Sequence, residues 1–436
     1  MVTFSTDARD DFAPTSEVPV TLIDCDVHVI MRSPDEIADY LDEPWRSRLF
    51  DPQLAEQRTK PGQKSAAPGG GALRRYEHAA PYEHAAFGEN AAKGVKAGYL
   101  PFGNGSRSGY HPYGDGQRLD AYPAAGGPAG SDPDLARQHL FVEMGVDYPL
   151  ILPTVFEYGV DPDVNAAFCA AANRWLADTW LTKYNAEGRF LGAIFVSFDD
   201  PNRAAREIET WAGHPGFRQV LIHHLSDRPM GHPQFDPIWE AASRHQLPVA
   251  MHFGSMGPAQ SGVTPVGPFQ HYVDYHSVST PLAYSAHVMS WICNGTFDKF
   301  PDLRFVMVEG GFLWHRPLLA RLARHWPVTA TELPARARDP FEYVRKHIRF
   351  CTQPIEESPE ARDAAALLEI SGADRVLLFS SDYPHYDYDD PQRAIPPQVS
   401  DATRRRVMYE NARELYGLPE ARPRDRFDLA RADRDH

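Results

Sequence analysis

The chain has 436 residues, enough for one large barrel domain or for two to three domains of average size. Apolar residues make up 42% and charged residues 24% of the chain, so the composition excludes a disordered or fibrous protein. The formal net charge of −15 argues against nucleic acid and anionic membranes as partners, because both bind clustered Lys and Arg, and it favours a small-molecule partner.

Residues 1–20 predict a polar N-terminal extension. They contain four acids and no apolar core, which does not fit a signal or transit peptide. No apolar run along the chain approaches membrane-spanning length. Cys25, Cys169, Cys293 and Cys351 are far apart and form no CxxC pair, which indicates reduced thiols. We therefore expect a cytoplasmic protein with no membrane partner.

Eight short apolar or β-branched runs predict β-strands. They lie at residues 21–29, 147–154, 190–197, 217–225, 247–253, 303–309, 347–353 and 375–381. Segments of helical period separate them and begin with Asp, Pro or Asn, residues preferred at helix starts. Repeated βα units form parallel sheets, and eight of them predict closure into a (β/α)8 TIM barrel of the α/β class. We expect this barrel to span residues 21–419, with a tail at 420–436.

A long insertion after strand 1, at residues 51–130, interrupts the alternation of strands and helices. Gly, Pro, Ala and Ser dominate it, and "RYEHAA" and "PYEHAA" repeat within it almost in tandem. A loop of this length is usually an active-site lid, a contact to a second subunit, or disordered. We expect it to close over the site of its own subunit or of a neighbouring one in a homo-oligomer; the alternative is a surface loop.

Chemical groups collect at the predicted C-terminal strand ends, where (β/α)8 barrels carry their reacting residues. Asp26 and His28 end strand 1 and, being two residues apart, face the same side. The ends of strands 5, 6 and 8 contribute His252, Glu309 and Asp382. Two histidines with carboxylates are a ligand set for Zn²⁺ or Mn²⁺. The simpler alternatives are packing histidines, Asp382 as a helix cap and an Asp26–Arg pair.

Five motifs carry a family resemblance: Asp26-x-His28, His252 followed by "FG", "FPDLRFVMVEGGFLW" at 300–314, "SSDYPHYDYDDP" at 380–391 and "NARELYGL" at 411–418. Together they resemble the amidohydrolase-related family, which includes aminocarboxymuconate semialdehyde decarboxylase and the γ-resorcylate decarboxylases. The resemblance covers nearly the whole chain apart from the insertion and the tail. It implies that Asp26, His28, His252 and Asp382 hold one divalent ion, Zn²⁺ or Mn²⁺.

Two departures from the family pattern refine this expectation. Strand 4 ends in "LIHHLSD", with His223 and His224 but without the bridging lysine of binuclear members, so the resemblance implies a single ion. Glu309 stands where the named decarboxylases carry an acid–base histidine. We therefore expect the catalytic base to be Glu309 or His287, which lies in the helical stretch before strand 6. The alternative for His287 is a histidine buried in that helix.

Two reactions fit the same predicted site. The first is hydrolysis of a small cyclic or aromatic carbonyl compound by metal-activated water, with Glu309 as the base. The alternative is non-oxidative decarboxylation of an aromatic or unsaturated acid, in which the metal holds the substrate while a side chain protonates the carbon that loses CO₂. We place hydrolysis slightly ahead. A non-catalytic binding protein on the same barrel is a third, weaker hypothesis.

The predicted pocket wall is aromatic and suits a planar substrate. Its members stand next to proposed site residues and are Phe253, Trp314, Tyr383 and Tyr386. We further expect His385 to orient Asp382 or to contact the substrate, and His224 to contact the substrate.

Overall fold

The computed structural model describes residues 17–50, 117–154, 161–224, 226, 228–252, 278, 280–333, 339–356, 358, 360–385 and 388–434. Two predicted pocket residues, Phe253 and Tyr386, lie outside this part of the chain. So do residues 51–116, the larger part of the predicted insertion.

Eight parallel strands, paired in chain order, form the barrel. They are β1 (Ile23–Val29), β2 (Tyr148–Pro153), β3 (Leu191–Phe195), β4 (Phe217–His223), β5 (Val249–His252), β6 (Phe305–Val308), β7 (Ile348–Cys351) and β8 (Leu377–Leu378). Each strand falls within its predicted range, which confirms the (β/α)8 TIM barrel.

Backbone hydrogen bonds between β1 and the segment after β8 close the barrel. The Cys25 N–H donates to the Phe379 carbonyl at 3.0 Å, and the Asp382 N–H donates to the Asp26 carbonyl at 3.0 Å. The His28 N–H then donates to the Tyr383 carbonyl at 2.6 Å. Closure therefore joins the two chain segments that carry the first and last predicted metal ligands.

The strands are apolar on both faces because helices cover the outside while side chains fill the barrel. Residues 150–152 of β2 and 306–308 of β6 are at most 1% exposed. The α-helices run over Trp45–Phe50, Pro133–Arg137, Pro162–Trp175, Pro201–Trp211, Asp236–Arg244, Thr280–Cys293, Thr296–Lys299, His315–Thr329, Pro340–His347, Ala361–Ile370, Ala373–Val376, Asp401–Arg405, Asn411–Tyr416 and Arg426–Ala432. Within the described residues, every helix is too short or too polar to span a bilayer.

The predicted extension and tail meet at the N-terminal end of the barrel. Glu17–Pro19 pairs antiparallel with Ala421–Pro423 as a separate two-stranded sheet. Beside it, the buried Asp147 carboxylate accepts hydrogen bonds from the N–H groups of Thr21 at 2.8 Å and Leu22 at 3.1 Å. The tail therefore packs as part of the folded barrel, a long-range contact for which the sequence has no local signal.

Arg422 supplies the charge at the centre of this contact. Its Nε donates to Asp147 Oδ1 at 2.8 Å, and its two terminal nitrogens donate to the Asp428 carboxylate at 2.8 and 2.6 Å. The Arg422 side chain is only 4% exposed. Two carboxylates thus depend on one buried guanidinium for their neutralisation.

We expect Arg422→Ala to lower the free energy of unfolding by about 3–5 kcal/mol, because it leaves the buried Asp147 carboxylate without a counter-charge. Urea unfolding monitored by circular dichroism measures the loss. Arg244→Ala is the control, because Arg244 is 56% exposed where it pairs with Glu209 and Glu240. Its loss should stay below about 1 kcal/mol. Equal losses in the two variants would contradict the role of burial.

Candidate active site

Five ionisable side chains converge at the C-terminal rim of the barrel. Each is at most 8% exposed, and they are Asp26, His28, His252, Glu309 and Asp382. They come from β1, the end of β5 and the residues that follow β6 and β8. The structure therefore brings together all four predicted metal ligands and one of the two predicted catalytic residues.

The distances within this cluster centre on the two imidazole rings. The Nε2 of His28 lies 3.2 Å from Asp26 Oδ1 and 3.0 Å from Asp382 Oδ1. The Nε2 of His252 lies 3.2 Å from the Nε2 of His28 and 3.7 Å from Asp26 Oδ1. On its other side, His252 Nε2 lies 3.4 Å from Glu309 Oε2. The ring nitrogens and carboxylate oxygens therefore point toward a common space.

This spacing fits a single divalent ion. Ligand atoms bound about 2.1 Å from one ion stand about 3.0 to 3.4 Å apart in octahedral or tetrahedral coordination. Asp26, His28 and His252 place one ligand atom each within 4.8 Å of one another. The Asp26 carboxylate is fully buried, and the rings of His28 and His252 approach its Oδ1 without a well-formed hydrogen bond to either oxygen. A carboxylate so removed from water is costly unless a cation compensates its charge, so the donor set suits Zn²⁺ or Mn²⁺.

Backbone strain occurs at two of the three carboxylates. Glu309 has φ of 53° and Asp382 has φ of 61°, both in the left-handed region that favours glycine. Such a conformation costs on the order of 1–3 kcal/mol and persists only where the surroundings hold it. Glu309 directly follows the last residue of β6, and the Asp382 N–H itself makes one of the hydrogen bonds that close the barrel. The backbone at both positions is therefore held where the carboxylates reach the rim.

His385 lies beside Asp382 at the edge of the cluster, as predicted for a residue that orients this carboxylate. Its Nδ1 lies 2.6 Å from Asp382 Oδ1, and its side chain is 26% exposed. Burial opposes the charge on His385, but the Asp382 carboxylate outweighs burial and raises the pKa of the imidazole. His385 also forms a possible ligand group with His28 and Asp382, so its ring stands within reach of the same ion.

Asp24 is a site-supporting residue that the sequence analysis missed. Its buried carboxylate accepts the N–H of Ser381 at 2.9 Å and of Asp26 at 3.2 Å, which ties β1 to the segment after β8. Burial raises the pKa of Asp24 to about 7. The sequence holds no clear signal for this role, because a register shift between Asp24 and Val27 interrupts the alternation of side chains along β1. On the outer side of the cluster, Thr154 Oγ1 lies 3.4 Å from His28 Nδ1.

The contacts of His287 disfavour its predicted use as a catalytic base. Its Nε2 donates to the His224 carbonyl at 2.7 Å, and its Nδ1 accepts the Met230 N–H at 3.1 Å. The ring is fully buried, and burial lowers the pKa of His287 to about 4. A neutral ring with both nitrogens bonded to the backbone supports the alternative of a histidine buried in its helix.

The structure also corrects two predicted substrate contacts. His224 is 0% exposed and stands edge-on to the ring of Tyr284. Tyr383 is 1% exposed, and its hydroxyl is 2.9 Å from His139 Nδ1. Tyr383 follows Asp382, whose left-handed backbone turns the chain, and its ring packs edge-on against His139. Neither ring is open to a substrate in this structure.

Trp314, another predicted wall residue, lies on the turn after Glu309. Its indole Nε1 donates to the Gly310 carbonyl at 2.8 Å, and its ring packs edge-on against Phe350. The ring is partly buried in this packing. A contact between Trp314 and substrate therefore stays a prediction.

The described end of the insertion contacts the rim. Gln117 forms a β-bridge with His385, and the Arg118 N–H donates to the Pro384 carbonyl at 2.8 Å. The Arg118 guanidinium lies 3.8 Å above the centre of the Tyr388 ring. The insertion thus ends against the loop that carries Asp382 and His385.

The chain is similar in sequence to a known protein family and to a curated enzyme. A family model described as amidohydrolase matches residues 23–418. A curated gamma-resorcylate decarboxylase from Polaromonas sp. is 26% identical over 251 residues, which cover 53% of this chain and 71% of that protein.

Two solved structures share the fold. An amidohydrolase from Mycobacterium avium subsp. paratuberculosis has a TM-score of 0.57 at 20% identity, covering 92% of this chain and 99% of its own. A 5-carboxyvanillate decarboxylase from Novosphingobium aromaticivorans, complexed with manganese and 4-hydroxy-3-methoxy-5-nitrobenzoic acid, has a TM-score of 0.57 at 19% identity. That match covers 91% of this chain and 96% of the other.

We expect the purified protein to hold about one divalent ion per chain, as a mononuclear donor set requires. His252→Ala and Asp382→Ala should each lose the ion while the far-ultraviolet circular dichroism spectrum is unchanged. Elemental analysis by mass spectrometry measures the metal content. His232→Ala, at an exposed histidine outside the cluster, is the control and should retain the ion. Full metal content in both cluster variants would refute the assignment.

Proposed function

Because the chain belongs to the amidohydrolase family, we propose that it is a metal-dependent, non-oxidative decarboxylase of an aromatic carboxylic acid. The family and the intact cluster make it an enzyme, either a hydrolase or a decarboxylase. We favour a decarboxylase over a hydrolase because the chain is similar to a gamma-resorcylate decarboxylase across 71% of that protein. Hydrolysis, which the sequence analysis placed first, is the alternative; the solved amidohydrolase described above shares the fold at 20% identity.

Asp26, His28, His252 and Asp382 would hold the ion. A bound Mn²⁺ or Zn²⁺ would supply Lewis acidity toward the carboxylate and a neighbouring hydroxyl of the substrate. The surrounding residues keep the four side chains in place: Thr154 stands beside the outer nitrogen of His28, and His385 stands beside Asp382. Such contacts fix the orientation of ligand side chains before a substrate arrives.

Decarboxylation breaks the bond between the ring carbon and the carboxylate and places a proton on the same carbon. In this proposal Glu309 carries that proton to the ring carbon as CO₂ leaves, and then takes up another proton from solvent. The support is geometric, because Glu309 Oε2 lies 3.4 Å from His252 Nε2 at the rim and outside the four-residue ligand set. A positioned acid–base group contributes about 10²- to 10⁴-fold to the rate.

His385 has a separate role in the proposal. Its Nδ1 lies 2.6 Å from Asp382 Oδ1, and its side chain is 26% exposed at the edge of the cluster. A ring N–H at this position suits an anionic substrate, since a hydrogen bond to a carboxylate strengthens where water is excluded. We propose that His385 helps to bind the substrate carboxylate.

Isotope labelling distinguishes the two reactions. We expect the metal-loaded protein, given a panel of ortho-hydroxybenzoic acids including 2,6-dihydroxybenzoate, to release CO₂ from at least one of them. In D₂O the aromatic product should gain one deuterium at the carbon that lost CO₂, and in H₂¹⁸O that product should gain no ¹⁸O. Hydrolysis would instead place ¹⁸O in a product. Release of an ¹⁸O-labelled acid from esters or lactones, with the benzoates untouched, would overturn the proposal.

Replacement of Glu309, the proposed proton carrier, should affect turnover and not metal binding. Glu309→Gln should retain the metal and lower kcat by about 10²- to 10⁴-fold, because the amide cannot donate and recover a proton in the same way. Steady-state kinetics and elemental analysis on the same preparation measure both quantities. A metal-free variant would reassign Glu309 to the ligand set, and an unchanged kcat would remove it from the chemistry.

A further inference from the structure

The turn at residues 309–314 connects β6 to the helix His315–Thr329 and carries Glu309 at its first position. Its backbone is unusual, because both Glu309 and Gly311 have left-handed φ angles, of 53° and 74°. A non-glycine residue keeps this conformation only when neighbouring groups hold it. Two side chains from other parts of the barrel contact this turn, one from each side.

Glu356 binds the turn from the loop after β7. Its Oε2 accepts the N–H groups of Phe312 at 2.8 Å and Leu313 at 2.7 Å, and its Oε1 accepts the Trp314 N–H at 3.4 Å. These amides stand just before a helix start, where N–H groups have no partner within the helix and a negative charge is favoured. One carboxylate thus fixes three consecutive backbone groups of the turn.

Tyr284, in the helix Thr280–Cys293, holds the other side. Its ring fills the space beside Gly310, where any Cβ would overlap it. Its hydroxyl oxygen lies 2.6 Å from the Val308 carbonyl and 3.0 Å from the Met251 carbonyl. These carbonyls belong to the residues just before Glu309 and His252, and the single hydroxyl proton can serve either of them. Tyr284 therefore joins β5 and β6 at the points where two site residues leave their strands.

We propose that Glu356 and Tyr284 are positioning residues that hold the Glu309 carboxylate beside His252. The inference rests on the proposed role of Glu309 as the proton carrier. Glu356 is exposed to solvent as a residue, yet it is bonded to the backbone of the turn. Removal of the Glu356 carboxylate is therefore expected to change the geometry of Glu309 more than the global stability of the protein. A misplacement of about 1 Å at a reacting group can lower a rate by about 100-fold.

The first test separates positioning from helix capping. Glu356→Ala should lower kcat about 10- to 100-fold while KM and metal content change little, because the effect is on a reacting group and not on substrate binding. Glu356→Gln should recover most of the activity, since its amide oxygen can still accept the N–H groups of Phe312 and Leu313, the two shorter of the three hydrogen bonds. Asp200→Ala is the matched control, because Asp200 caps the helix Pro201–Trp211 through the N–H groups of Asn202 and Arg203. Asp200→Ala should lower the melting temperature by at least as much as Glu356→Ala does, with kcat unchanged.

The second variant, Tyr284→Phe, keeps the ring against Gly310 and removes only the hydroxyl. We expect a loss of kcat with metal retained. Crystal structures of Tyr284→Phe and Glu356→Ala should show the Glu309 carboxylate displaced from His252, a readout independent of activity. Native placement of Glu309 in both structures would overturn the inference.

A double variant identifies the residue through which Glu356 acts. Adding Glu356→Ala to Glu309→Gln should cause no further loss of kcat, because the group being positioned is already gone. If Glu309→Gln alone leaves kcat unchanged, the proposed function of Glu309 fails. If Glu309→Gln abolishes turnover while Glu356→Ala has native kcat, only the positioning inference fails.

Discussion

The burial of several charges in one small space is the constraint on which the rest of the site depends. Asp26 is fully buried and Asp382 is 1% exposed, and each approaches the same His28 ring nitrogen. Without a cation, such a group of carboxylates would be costly to remove from water. Because Asp26 lies in the first strand and Asp382 in the segment after the last, the hydrogen bonds that close the barrel also set the distance between them. Barrel closure and the metal site are therefore one structural feature.

The residues around the cluster explain how its geometry is held. Asp24 bonds the backbones on both sides of the closure, and Thr154 stands beside the outer nitrogen of His28. Tyr284 and Glu356 hold the turn that begins at Glu309. These residues come from different strands and helices, so no single element determines the site. Side chains supported from several directions resist displacement, and this lets strained backbone persist at Glu309 and Asp382.

The two ends of the barrel divide stability from chemistry. At the N-terminal end, Arg422 pairs with Asp147 and Asp428 and attaches the chain's last segment to the residue just before β2. At the C-terminal end, the buried carboxylates and imidazoles of the cluster point toward one space, where they could bind a divalent ion and a substrate. This division is typical of (β/α)8 enzymes, in which the reacting groups lie at the C-terminal face. A decarboxylase and a hydrolase can share this arrangement, since the ion and the rim serve both.

The sequence by itself determined the eight strands, the barrel and the convergence of Glu309 with the four predicted metal ligands. These features follow from local periodicity: buried strands are continuous apolar runs, alternation directs Asp26 and His28 to one side, and parallel strands share one rim. Tertiary structure alone decided the burial and the contacts of His287, His224 and Tyr383, because their neighbours come from distant parts of the chain. It also decided the pairing of Glu17–Pro19 with Ala421–Pro423. The contacts of Tyr284 and Glu356 belong to the same class, since a hydrogen bond to a distant backbone group leaves no periodic pattern in the sequence.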